Sequence, residues 1–257
     1  MSEQPVTAEQ PPEEKMSFTD RAAGIFYEPS EVFESIKKSG VKFVDWFVPL
    51  ALLIIVGCVA SYVQLHSPDL RAQIIQQRET AIEKRVAEGK ISSDQADQER
   101  QMLEKTVGTG STFAIVSSMV SIIVFFFIAF FVVSLVWLLV GKFALKSDFD
   151  YTRAMAVTGL ADWIAAVGLI FAIVIAVLTS RIDGGLQLGM LVPMDPQNTA
   201  YVIMSKIDLF TLWSLAVVSI GLGVFSGKKG LRPLIWVLGI WIIWVIVSVG
   251  FTKVFFG

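Results

Sequence analysis

The sequence predicts an all-α, polytopic membrane protein with five transmembrane helices and an inserted soluble helical hairpin. Three observations carry this expectation. Of the 257 residues, 54% are hydrophobic and only 17% charged, with a mean hydropathy of +0.65, whereas soluble domains carry about 25% charged residues. The charges are clustered between long neutral runs. The longest run, Phe113 to Val140, includes Phe125, Phe126, Phe127, Phe130 and Phe131 without one charge. As a helix it would extend ~42 Å, beyond the roughly 30 Å of a hydrocarbon core.

Residues 1–16 are rich in Pro, Glu and Gln and predict a disordered tail. They lack a basic segment followed by an apolar stretch, so no signal peptide is expected. Residues 17–45 form an N-terminal interfacial helical segment. In it Pro29 and Ser30 start a helix, Val32, Phe33 and Ile36 share a face, Lys37 and Lys38 occupy the last turn and Gly40 stops it. Two settings suit that helix: on the membrane surface with its lysines toward anionic lipid, or packed against the ends of the spans.

Span one is residues 46–65, twenty residues without charge that open on Trp46 and hold Pro49 in the first turn. Residues 66–112 reverse the composition. Leu70, Ile74, Ile75, Ile82 and Val86 recur at helical spacing, Gly89 breaks the run, and Ser92 with Gln95 has the form of a capping box. This segment predicts an extramembrane helical hairpin, whose narrow apolar stripe serves self-packing or an unidentified protein partner.

Span two, 113–140, leads through a short basic connection to span three, 154–178. Small residues recur in that third span, among them Ala161, Ala165, Gly168, Ala172 and Ala176, which let neighbouring backbones approach closely. It is expected to be the central packing element. Asp195 and Pro196 suggest a helix start in the following loop. Span four is 209–225, and span five, 233–252, follows the basic turn of Lys228, Lys229 and Arg232.

Basic residues set the expected orientation. An N-terminus inside gathers Lys37, Lys38, Lys142, Lys146, Lys228, Lys229 and Arg232 at one face as contacts to lipid headgroups, with Arg153 beside them. That places the N-terminus in the cytoplasm, the C-terminus outside, and the chain in a bacterial cytoplasmic membrane. The hairpin, with seven basic and eight acidic residues, then lies outside.

The search for chemistry excludes more than it finds. A formal net charge of −2 and the lack of a basic stripe argue against nucleic acid. Cys58 is the one cysteine and His66 the one histidine, so neither a disulfide nor a metal set is expected. No catalytic residues, cofactor or metal are assigned, and Ser117, Ser118 and Ser121 read as helix-packing hydroxyls. Asp162 is the one carboxylate inside an apolar span, which makes it a candidate functional residue, with Arg153, Lys142 and Arg232 as candidate partners. The simpler reading takes Trp163 as interfacial and Asp162 as solvated. Asp208 reads as a helix-start residue favoured by the helix dipole. A transporter is disfavoured by five spans without mid-span proline or internal repeat.

Three stretches carry a family likeness. The Phe26, Pro29, Ser30, Val32, Phe33, Ile36 element leading to Trp46, the run Phe149 to Ala154, and the run Asp208 to Leu215 resemble bacterial members of the Yip family of Ypt/Rab-interacting membrane proteins. The eukaryotic relatives' signature around their first spans is not seen here. The resemblance covers residues 46–257 as one Yip-like membrane domain apart from the hairpin. It implies a non-enzymatic protein that scaffolds partners or shapes membrane and supplies no catalytic residues; the residues themselves leave Asp162, Arg153, Asp208 and Trp213 as candidate functional or partner-binding positions. The rival expectation is a small-solute or ion permease using Asp162. Self-association into a homo-oligomer is left open.

Overall fold

A computed structural model describes residues 16–108, 112–196, 198–228 and 230–256, with side chains to residue 250. The expected tail and Lys229 therefore lie outside the described residues. Five helices are long and apolar enough to cross a membrane. These are α3 (Phe43–His66), α6 (Thr112–Leu139), α7 (Tyr151–Thr179), α9 (Leu209–Ser226) and α10 (Arg232–Phe256). Their order in the chain interleaves with five further helices: α1 (Phe18–Gly24), α2 (Pro29–Ser39), α4 (Pro68–Ala87), α5 (Ser93–Leu103) and α8 (Thr199–Met204). Single π-helical turns at Glu104–Gly108 and Val140–Ala144 flank α6.

The bundle is organised around α7, which packs on α3, α6 and α9. Its small residues explain this. A Cβ on Gly159 would stand 2.4 Å from the Trp46 Cα, and one on Gly168 would stand 2.6 Å from the Phe210 Cβ. Both contacts bring a neighbour closer than any side chain on α7 permits. Paired hydroxyls supplement them, Ser134 Oγ donating to Thr158 Oγ1 between α6 and α7 and Ser61 Oγ to Ser118 Oγ between α3 and α6. The last span, α10, lies against α9.

At one end of the bundle α1 and α2 strap the spans together. Of the two settings expected for the Pro29 helix, the packed one is found. Val32, Phe33 and Ile36 are fully buried against protein, so the apolar face meets α9 rather than headgroups. The Phe33 ring lies edge-on to Phe225 and fills the space left by Gly221, and Lys37 Nζ donates to the Val224 carbonyl oxygen. Ahead of it α1 sends Arg21 into a buried ion pair. Its Nη1 lies 3.0 Å from Asp45 Oδ1 and its Nη2 donates to Ser39 Oγ, while Asp45 also accepts from the Lys42 amide.

At the other end α4 and α5 form an antiparallel hairpin. Ile82, Ala96 and Leu103 are buried there, and Arg85 pairs with Glu99. Of the apolar stripe, Leu70 and Ile82 are buried, while Ile74, Ile75 and Val86 are half-buried. The hairpin is braced on the loop after α7: Gln73 donates to the Ser180 carbonyl and accepts from the Ile182 amide, and Gln77 contacts Met194. That loop differs from expectation in one respect. Asp195 and Pro196 do not open its helix; α8 begins at Thr199 under an Asn198 cap, and Asp195 instead accepts from the Asn198 amide.

Candidate functional site

A cleft of about 470 Å³ runs along α7. Both α6 and α9 pack on α7 far more than on each other, so a strip of α7 stays open between them. Ala161, Ala165, Gly168 and Ala172 form its floor. Val133 and Trp137 supply the α6 side, and Phe210, Thr211, Ser214 and Val218 the α9 side.

The end of the cleft nearer the hairpin is bounded by the loop between α7 and α9. Gly184 permits this, because any Cβ there would stand 2.4 Å from the Ala176 nitrogen. A three-residue clamp then fixes the loop. Arg181 donates twice to Asp183, at 2.9 and 2.7 Å, and Tyr201 donates from its hydroxyl at 2.6 Å. Burial pushes the Asp183 carboxyl up, but the hydrogen bonds from Arg181 and Tyr201 outweigh it and hold the group below its ordinary value. Burial and the Asp183 carboxylate raise the Tyr201 phenol, which therefore stays protonated. An isolated bridge between Gln187 and Asp208, with Leu188 donating to the Ile207 carbonyl, ties the loop to the start of α9.

Two carboxylates line this cleft, and their situations differ. Asp208 caps α9, accepting from the Phe210 and Thr211 amides at 2.9 and 3.0 Å. Its Oδ1 is engaged by the backbone donors that every helix start leaves unpaired. Asp162 is half-buried at the floor and has no hydrogen-bond or ion-pair partner among the described residues. The candidate partners do not reach it. Arg153 stays at its own helix start, pairing with Asp150 at 3.2 Å and donating to the Asp148 carbonyl, and Arg232 donates to the Ala144 carbonyl. Nine residues separate Arg153 from Asp162, roughly 13 Å along the helix, beyond the reach of a direct ion pair.

Trp213 is a packing residue, stacked on Phe210 and edge-on to Phe26. Lys37, Lys38, Lys142, Lys146 and Arg232 are exposed at the end of the bundle that carries α2, and Lys228 is half-exposed there. Among the described residues no three His, Cys, Asp or Glu side chains gather as a metal-binding group. The cleft is thus an apolar slot with one unpaired acid at its floor and hydroxyls of Thr211 and Ser214 opposite.

With the five-span layout and the cleft described, comparison with known proteins supplies the lineage. A family model described as the Yip1 domain matches residues 23–252. The chain belongs to the Yip1 family. No curated protein and no solved structure matches it significantly. The Yip1 match takes in α2, the hairpin and the five long apolar helices to residue 252, so α2 and the cleft lie within the family's domain while most of α1 precedes it. The buried Arg21 lies two residues ahead of the match.

Sequence reasoning passed over three parts of this arrangement. The Arg21–Asp45 pair joins residues 24 apart, the Asp183 clamp brings in Tyr201 from 18 residues away, and the cleft arises from helix packing alone. Only α1 left a local trace, in Ser17 and Asp20, which cap each other's backbone amides.

Proposed function

We propose that this Yip1-family protein is a non-enzymatic membrane adaptor, with its N-terminus in the cytoplasm and its C-terminus across a bacterial inner membrane. The observation that supports it is the bracing of the hairpin. Gln73 and Gln77 hold α4 to the loop that also bounds the cleft, so a charged surface is presented in fixed orientation to the bundle. Rigid presentation lowers the ordering cost of binding a protein partner. At the opposite end α2 and the basic turns present Lys37, Lys38, Lys142, Lys146 and Arg232 to anionic headgroups. Lipid is then one partner and a protein at the hairpin the other.

Crosslinking in native membranes tests this reading. The expected result is one specific protein captured from the hairpin, lost when Pro68 to Thr106 is removed while the spans still insert. Failure to capture a protein in either compartment counts against it. Reporter fusions at the two termini check orientation, with cytoplasmic signal expected only at the N-terminus.

The cleft favours a second reading, passage of a small solute or ion past Asp162. Its inner end abuts Trp137, Thr158 and Val218, all buried, so passage would require α6 and α9 to separate. Flux in proteoliposomes that changes with Asp162→Asn would support it.

A further inference from the structure

We propose that the cleft along α7 binds an amphipathic organic cation: a protonated amine on an apolar chain, taken up from the bilayer. The volume of about 470 Å³ falls inside the roughly 300–1,000 Å³ typical of small-molecule sites. Its shape is a consequence of the fold, since α6 and α9 both lean on α7 and the floor between them is built from alanine and glycine. Val133, on the α6 side, is exposed on the lipid-facing surface as well, which gives the slot a lateral mouth.

Charge selects the ligand. A carboxylate inside a membrane protein is costly unless a cation or several donors meet it. Asp162 has neither among the described residues, and no Lys, Arg or His lines the cleft. An ammonium group supplies the missing charge and donates to the carboxylate, while the hydroxyl oxygens of Thr211 and Ser214 are acceptors for its remaining N–H groups. The lack of a basic lining residue disfavours a headgroup with phosphate beside its amine. A bound metal ion fits less well, because hard cations demand six or more oxygen ligands or near-octahedral geometry. The apolar remainder of the slot suits a hydrocarbon tail.

The test uses the full chain in nanodiscs and radiolabelled dodecylamine, with empty nanodiscs as blank. Dodecanol, dodecanoate and methylammonium serve as competitors that separate tail from charge. Saturable dodecylamine binding is expected, weakened at least about tenfold by Asp162→Asn, a loss of one ion pair's worth of affinity. Ala165→Leu, which fills the floor, is expected to abolish it. Asp195→Asn, outside the cleft lining and still able to accept from the Asn198 amide, should leave it unchanged. Thermal unfolding without ligand monitors each variant's fold. If Asp162→Asn fails to fold, Ala165→Leu and the competitors decide. Wild-type binding by Asp162→Asn overturns the proposal. So does dodecanol competing as well as dodecylamine, or methylammonium binding equally well without a tail.

Discussion

At the scale of single residues, the ion pair between Arg21 and Asp45 is deeply buried, both side chains being at most 2% exposed. Removing one partner strands the other charge in a low-dielectric setting. Arg21→Met is therefore expected to cost about 3–5 kcal/mol, read as a lowered unfolding midpoint in detergent, and Arg21→Met with Asp45→Leu should recover much of it. Asp183 allows a pH test. Its folded pKa lies below the ordinary 3.8, so the stability it lends the loop is complete above that value and is lost as pH falls through the folded value. Pepsin should cut the 181–208 loop only at the acid end of this range, and Tyr201→Phe should move the onset to higher pH. Neither group was legible in the sequence. Asp45 sits one residue before an apolar run and looks like an ordinary helix-start acid, while its partner is 24 residues away. Asp208 was legible because a cap is local: the acid and the amides it serves are two and three residues apart.

At the scale of elements, the small-residue pattern of α7 identified a close-packing helix, and the contact of Gly159 with Trp46 shows what it packs against. Because the opposing atom is backbone, it cannot yield easily to an added methyl. Gly159→Ala should cost about 1–3 kcal/mol, measured by chemical unfolding of the purified chain. The face of α2 was likewise legible from the spacing of Val32, Phe33 and Ile36. What covers that face was not, since periodicity gives the direction of burial and not the neighbour. Phe33 is fully buried against Phe225 and Gly221, so Phe33→Ala should cost about 3–5 kcal/mol and loosen the strap. Increased amide exchange confined to α1 and α2 would show the second effect. The helix α1 escaped sequence reading because its seven residues are too few for a periodic signal.

At the scale of the whole molecule, five apolar runs separated by charged turns were enough to set the class, because hydrocarbon tolerates few alternatives to a helix. The cleft was not readable, since it depends on which helices lean on α7 and not on any one run. The hairpin packs on itself and touches the bundle mainly through its loop contacts. A chain without Pro68 to Thr106 should still show five protected segments on protease treatment of membranes. The two helices that flank the cleft are unequal in reach: α6 with its π turn has 33 residues and α9 has 18, which correspond to about 50 Å and about 27 Å. A bilayer that fits one mismatches the other, and a long helix answers by tilting, projecting or thickening the layer while a short one thins it, so the two walls of the cleft meet lipid differently. The mouth of the cleft lies between these two unequal walls, so a chain entering it from the bilayer crosses the boundary between them.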